Sequence, residues 1–335
     1  MEQNLKMIEQ SVRQIMAGLN ELKQEIKKVI VGQEEIIDQL LITFLAGGHA
    51  LLEGVPGLAK TLMIRSLSEA IDLRFRRIQF TPDLMPSDII GTEILEEDHT
   101  TSKRIFKFNK GPIFANIILA DEINRTSPKT QSALLEAMQE FEVTYAGTTY
   151  PLERPFFILA TQNPIEQSGT FPLPEAQLDR FLLYIKVDYP SAEEERSILE
   201  NTTGKKGSPI NKVMEGGKIL EAQKLVREVH INSDLIDWVS RIVRGTRPKQ
   251  NENKFVDEWV RWGAGPRAGQ AMILTAKARA LLHGNFSVTQ EDIQHIAYPV
   301  LRHRILMNFK AEAEGVTPND VTKHLLSTIS LRKTL

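Results

Sequence analysis

Cysteine is missing from all 335 residues, which excludes disulfide staples and thiolate-bound metal. That absence makes a reducing cytoplasm the expected compartment. Long apolar runs are missing too. The most apolar stretch, 36–52, is broken by Asp38, Gly47, Gly48 and His49, and cannot span a bilayer as one helix. The opening Met1-Glu2-Gln3-Asn4-Leu5-Lys6 is charged and amphipathic, unlike the apolar core of a signal peptide. Neither sign of charge is in excess. The formal net charge is -2, so no overall basicity points to nucleic acid or an anionic membrane. Low-complexity tracts and internal repeats are absent. What remains is an ordinary globular composition, and a length that predicts two domains.

The most informative stretch is Gly54-Val55-Pro56-Gly57-Leu58-Ala59-Lys60-Thr61. It follows the apolar Ala50-Leu51-Leu52 and precedes Leu62-Met63-Ile64, an order that predicts strand, glycine-rich turn, helix. It nearly matches the phosphate-loop pattern G-x-x-x-x-G-K-[ST]. Glycines let several backbone N–H groups converge on one anion, and the helix adds its positive end. Lys60 would reach the β- and γ-phosphates, and Thr61 would offer its hydroxyl to Mg²⁺. Ala59 stands where the pattern has its second Gly, and Gly57 comes earlier. Alanine is the smallest replacement and suits a helix start, so a working loop is expected.

Upstream, Leu5, Ile8, Val12, Ile15, Leu19, Leu22, Ile26 and Val29 recur at three- and four-residue steps, a helical stripe with heptad spacing. Two readings fit it: a helix on the protein's own core, or a contact with a neighbouring subunit. Gly18, mid-stripe, would weaken an isolated helix. Val31, Gly32 and Gln33 form a turn before an apolar helix over about 36–46. Such a turn often holds the base of a nucleotide, although spacing alone equally allows plain core.

Downstream, a strand is expected at 75–80, a turn-rich segment at 81–88, and a hairpin around 94–108 with a polar tip. Asn116-Ile117-Ile118-Leu119-Ala120 reads as a central parallel strand, with Asp121-Glu122 at its end. At that edge Asp121 can face Mg²⁺, and Glu122 can deprotonate an attacking water. Taken alone, the pair could equally cap the next helix. A helix over 129–139 and a second hairpin over 142–152 follow. The strand 156–160 ends at Thr161-Gln162-Asn163-Pro164, where the Asn163 amide could hold the attacking water. Alone, Asn-Pro is simply a turn. Arg180 precedes the strand 182–187, either as an exposed arginine or bridged to Asp179. Beyond about 190 the pattern turns helical: a loop over 202–217, amphipathic stretches at 219–228, 233–245 and 269–283, and an N-cap near Ser287–Thr289.

Taken together, these fragments resemble an AAA+ ATPase and, within that superfamily, the MoxR group. The resemblance spans about 29–306. It is carried in order by Gly54 to Thr61, Leu119-Ala120-Asp121-Glu122-Ile123-Asn124-Arg125, Ala160-Thr161-Gln162-Asn163-Pro164, Leu178-Asp179-Arg180-Phe181 and Gly265-Pro266-Arg267-Ala268. The closing Val300-Leu301-Arg302-His303-Arg304-Ile305 points to the MoxR branch. The implied fold is α/β: a P-loop NTPase parallel sheet flanked by helices, followed by a small all-α lid. The expected division is an amphipathic helix over 1–28, a nucleotide-binding domain over 29–190 and a lid over 191–335. The hairpin insertions, near 81–110 and 142–152, would face the central channel of a ring.

The resemblance further implies a Mg²⁺-dependent ATPase that binds ATP and ADP through Val31 to Gln33, Gly54 to Leu62, Asp121, Asn163 and Arg267. Thr61 and Asp121 would serve the metal, with Lys60, Glu122, Asn163, Arg180 and Arg267 as the catalytic set. Asn163 would be the sensor, Arg180 the arginine finger reaching a neighbour's site, and Arg267 the lid sensor of the same subunit. Arg125 is a further candidate at the subunit boundary. The expected assembly is a hexameric homo-oligomer that remodels protein clients or inserts cofactors into them. A von Willebrand factor A-like companion is expected, and nucleic acid is not. Three alternatives remain at this stage: a DNA-acting motor or loader, a slow ATP-binding switch, and a metal-chelatase-type subunit. The first is disfavoured by the weak net charge and the lack of a basic-aromatic cluster.

Overall fold

The structure, a computed structural model, describes residues 2–30, 32–55, 57–98, 103–164, 169–202, 209–250 and 253–332. Two candidate residues, Val31 and Pro56, and the hairpin tip at 99–102 lie outside the described residues, as do the side chains of Leu5 and Ile8.

The chain opens with α1 (Glu2–Lys27). From Ile15 onward its stripe is buried, with Ile15, Leu19, Leu22 and Ile26 at most 4% exposed. These side chains join the apolar cluster that also contains the sheet and the C-terminal helices. This half of the stripe therefore covers the protein's own core. Gly18 has a local reason: a Cβ there would stand 2.5 Å from Met214 Cε.

Next come α2 (Glu34–Leu45), β1 (Ala50–Gly54), α3 (Lys60–Ile71) and β2 (Phe75–Gln79). The turn-rich segment contains a short helix, α4 (Pro86–Ile90). Pro86 begins it with a preset φ, and Asp88 Oδ2 accepts the Met85 N–H at 2.8 Å. The first hairpin is β3 (Gly91–Asp98) with β4 (Lys103–Lys110). Then follow β5 (Ile117–Asp121), a 3-10 turn (Ile123–Arg125) and α5 (Pro128–Glu140). The second hairpin is β6 (Glu142–Tyr145) with β7 (Thr148–Pro151). β8 (Phe157–Gln162), α6 (Glu175–Leu178) and β9 (Leu183–Val187) complete this region.

Five strands form one parallel sheet in the order β2-β5-β8-β1-β9. Successive residues of each strand face opposite layers. Leu51, Ile118, Ala120, Ile158 and Ala160 pack with α5, while Leu52, Leu119, Phe157 and Leu159 pack with α2 and α3. Burial on both faces is why β1, β5 and β8 read as continuous apolar runs.

The C-terminal region runs α7 (Ala192–Thr202), α8 (Gly216–Glu228), α9 (Ser233–Gly245), α10 (Lys254–Trp259), β10 (Val260–Trp262), α11 (Pro266–Leu282), α12 (Gln290–Leu301), β11 (Leu306–Met307), α13 (Phe309–Glu314) and α14 (Pro318–Thr328). A short antiparallel ladder of β10 with β11 ties two loops together. Thr289 caps α12, and the cap is reciprocal: its Oγ1 accepts the Asp292 N–H, and Asp292 Oδ2 accepts the Thr289 N–H at 2.8 Å.

Three consecutive side chains after α12 fasten this helical region to the sheet. Arg302 Nη1 donates to Tyr184 O at 2.9 Å, and His303 Nε2 to Phe181 O at 3.0 Å. Arg304 donates to Phe181 O at 2.7 Å and pairs with Asp179 at 2.7 Å. Burial and the Arg304 charge hold His303 well below the ordinary histidine range. His49 is equally enclosed: it donates to Met138 O, accepts from Ile158 N–H, and burial lowers it to about 4.

Both histidines are therefore neutral in the folded state, and unfolding lets them take up protons below about pH 6.5. Their contribution is present above that pH and is lost as the pH falls toward 4. The melting temperature is expected to drop by several degrees between pH 7.5 and pH 5, above the carboxylate range. An equal melting temperature at both values would contradict neutral burial.

Candidate active site

The site lies at the C-terminal edge of the sheet, where the strand order brings three loops together. β8 separates β1 from β5, so the segment after β8 stands between the phosphate loop and the acidic pair. A cavity of about 440 Å³ there is lined by Gly57, Ala59, Lys60, Thr61, Leu62, Arg77, Asp121, Glu122, Thr161 and Asn163. The glycine-rich loop, the carboxylates and Asn163 thus meet in one place. Neither Arg180 nor Arg267 lines it.

Close packing and backbone conformation shape the loop. Gly54 sits so near β9 that a Cβ would come 2.9 Å from Val187 O. Gly57 has φ 91°, a region that favours glycine. Ala59 caps α3 with φ 53°, so the alanine in the second glycine's place is held in the left-handed conformation. The loop delivers Lys60 and Thr61 at the start of α3, where unpaired N–H groups favour an anion. Lys60 donates its ammonium to Gly54 O. Burial lowers the Lys60 pKa, against the opposing charges of Asp121, Glu122 and Glu53. Upstream, Gly32 and Gln33 form a left-handed turn, and the Gln33 N–H donates to Glu194 Oε1 of α7 at 3.0 Å.

Opposite the loop, Thr161 holds the Asp121 carboxylate and the Glu122 backbone. Its hydroxyl donates to Asp121 Oδ1 at 2.6 Å and accepts the Glu122 N–H at 2.9 Å. Glu122 has φ 59°, a strained conformation that turns its side chain out of the strand line. Glu122 Oε2 accepts from Gln79 Nε2 at 2.9 Å and Arg125 Nη1 at 2.8 Å. Arg77 contacts Asp121 Oδ2 at 2.6 Å through Nη2. Asn163 is 7% exposed at the same edge.

Arg180 and Arg267 meet elsewhere. They line a second cavity, of about 260 Å³, with Asp179, Arg304, Met138, Gln139 and one face of α11. The resemblance implied that Arg267 serves the same subunit's γ-phosphate; in the structure it lines this second cavity, beside Met138 and Gln139 of α5, and not the cavity at the phosphate loop. Asp179 pairs with Arg304, leaving Arg180 to donate to Leu135 O at 2.9 Å. Arg77, Gln79, Thr161 and Arg304 carried no role in the sequence reading. Their one local signal is position: Arg77 and Gln79 share a face of β2, and Thr161 follows the apolar run of β8.

As to ligands, Thr61 and Asp121 bring a hydroxyl and a carboxylate to one cavity. These are the hard oxygen donors that Mg²⁺ takes together with phosphate oxygens and water, so the residues fit that ion. Among the described residues no group of three or more His, Asp or Glu side chains forms a metal cluster. Nor is any described helix long and apolar enough to cross a membrane.

Comparisons with known proteins agree with this architecture. The ATPase family associated with various cellular activities (AAA) matches residues 49–183, and the AAA lid domain matches 253–325. The chain is 43% identical over 308 residues to chaperone MoxR1 of Mycobacterium tuberculosis, covering 92% of this chain and 80% of that protein. It is 28% identical over 325 residues to protein MoxR of Paracoccus denitrificans, covering 90% and 93%. A crystal structure of a Cytophaga hutchinsonii protein superposes with TM-score 0.91 at 42% identity, over 98% of this chain and 99% of that one.

The left-handed Ala59 generates a stability test. A non-glycine residue there costs about 1–2 kcal/mol, partly offset by the greater freedom of unfolded glycine. Ala59→Gly is expected to be neutral or stabilising by up to about 1 kcal/mol, and Ala59→Val to lose more than about 1 kcal/mol. Urea unfolding of the three proteins measures this. A valine variant as stable as the parent would show that the conformation is not strained.

Proposed function

The chain belongs to the MoxR family of AAA+ ATPases, and on that premise we propose that it hydrolyses ATP with Mg²⁺ as a ring of identical subunits acting on protein clients. The observation that carries this reading is the single cavity joining Lys60 and Thr61 to Asp121, Glu122 and Asn163. Lys60 and the start of α3 bind and orient the phosphates. Bound Mg²⁺ would supply positive charge to offset that building on the phosphate oxygens, held by Thr61 and Asp121. Glu122 accepts the proton of the attacking water, and Asn163 orients that water through its amide. Thr161 fixes the Asp121 carboxylate and the Glu122 main chain, since its hydroxyl touches both.

Arg180 and Arg267 are assigned to a neighbouring copy. Their shared cavity, separate from the phosphate pocket, supports this. In a ring, one subunit's second cavity would abut the next subunit's nucleotide, and both cations could stabilise the transition state there. Arg125 already holds Glu122, which favours a role within its own subunit.

The first hairpin offers a surface for clients. Leu95 and Phe106 are paired across β3 and β4, 52% and 73% exposed. The base of this hairpin is braced on the second one, with Phe108 stacked on Tyr150 at 4.4 Å. An apolar pair on a braced hairpin suits an exposed apolar protein segment better than a phosphate backbone. The chaperone name of one relative points the same way. A von Willebrand factor A-like companion remains the partner to seek.

Two measurements test the chemistry. Glu122→Gln is expected to bind ATP with near-parental affinity and to lose at least about 100-fold in turnover; parental turnover would remove Glu122 as the base. Arg180→Ala is expected to lose about 10³-fold or more. Mixing it with Glu122→Gln should restore part of the activity, because the Glu122→Gln subunit lends its arginine to a site with an intact base. Mixing that never restores turnover would end the shared-site assignment.

A further inference from the structure

We propose that Arg77 occupies the metal-binding carboxylate as a competing cation that Mg²⁺ must displace. The inference rests on the ATPase reading and deepens it. Nothing in that reading requires an arginine in the middle of β2.

Hydrogen bonds run unbroken between the two carboxylates. Arg77 donates to Asp121 Oδ2 through Nη2 at 2.6 Å and Nε at 3.1 Å. The same Nη2 donates to Gln79 Oε1 at 2.7 Å. With its oxygen engaged, the Gln79 amide presents Nε2 to Glu122 Oε2 at 2.9 Å. Arg77 and Gln79 are two apart on β2, so they project from one face of the strand, and Gln79 is in register with Asp121. Asp121 Oδ1 is meanwhile taken by Thr161. Arg77 thus holds Asp121 directly and Glu122 through Gln79.

Charge makes this arrangement exclusive. Asp121 Oδ2 already receives two N–H bonds, and a divalent cation bound there would repel the guanidinium. Departure is easy, because the Arg77 side chain is 49% exposed whereas that of Asp121 is 16% exposed. Before metal arrives, the arginine screens the repulsion between two neighbouring carboxylates.

The test measures metal dependence of nucleotide binding by the full chain, with fluorescent ADP as probe. Affinity is read first in EDTA and then across a Mg²⁺ titration at low ionic strength. Arg77→Ala and the longer Arg77→Gln are compared with the parent. Arg76→Ala serves as control, since it removes an equal charge from the next residue of β2, whose side chain lines a different cavity. Both Arg77 variants are expected to reach half-maximal enhancement at about three- to fivefold less Mg²⁺, as for loss of a half-exposed ion pair. The difference should shrink in high salt. Arg76→Ala should match the parent.

A midpoint unchanged or raised in the Arg77 variants overturns the proposal, as does an equal shift in Arg76→Ala. Absence of fluorescent ADP binding by the parent, with or without Mg²⁺, would instead strike at the ATPase reading. The two failures are therefore distinct.

Discussion

The position of β8 between β1 and β5 governs the rest of this molecule. Neighbouring strands lie about 4.8 Å apart, so β1 and β5 end roughly two strand spacings from one another. That gap separates the phosphate loop from Asp121 and Glu122, and the end of β8 fills it with Thr161 and Asn163. Thr161 then ties the acidic pair to the central strand through both its hydrogen and its oxygen. The polar residues of β1, β5 and β8 sit at strand ends because these inner strands are buried on both faces and admit mainly apolar side chains.

A second set of contacts decides where the cations stand. Arg302, His303 and Arg304 fasten the helical region to the carbonyl groups of Phe181, Leu182 and Tyr184. Arg304 is 8% exposed, and a buried guanidinium needs its partners; Asp179 and four carbonyl contacts supply them. By taking Asp179, Arg304 leaves Arg180 facing the second cavity, beside Arg267. Two basic groups expected at phosphates thus line a cavity other than the one at the chain's own phosphate loop.

Strain and charge concentrate at the phosphate pocket. Ala59 and Glu122 both have left-handed backbones. Each turns a functional group out of the line of its element: Lys60 at the start of α3, and the Glu122 carboxylate beyond β5. Within the pocket, Lys60, Asp121 and Glu122 are all engaged with internal partners. Ligand binding must therefore exchange hydrogen bonds and cannot simply add them.

Much of this was legible from residue order. The three inner strands, β1, β5 and β8, appear as apolar runs because two-sided burial allows little else, and the phosphate loop appears because glycine, lysine and threonine must be contiguous to curl around an anion. The reciprocal cap at Thr289 and both hairpins were readable for the same local reason. What sequence could not decide is whatever depends on contacts between distant segments. The α1 stripe fitted two partners, and its half from Ile15 onward is settled by Met214 and the C-terminal helices that pack on it. Asp179 had an adjacent arginine, but its partner came from 125 residues away. Arg77 and Gln79 looked like ordinary polar residues of an edge strand, and only strand pairing set them against Asp121 and Glu122. Local chemistry is written along the chain, whereas which cation meets which carboxylate is settled by the sheet order and by the packing that brings remote elements together.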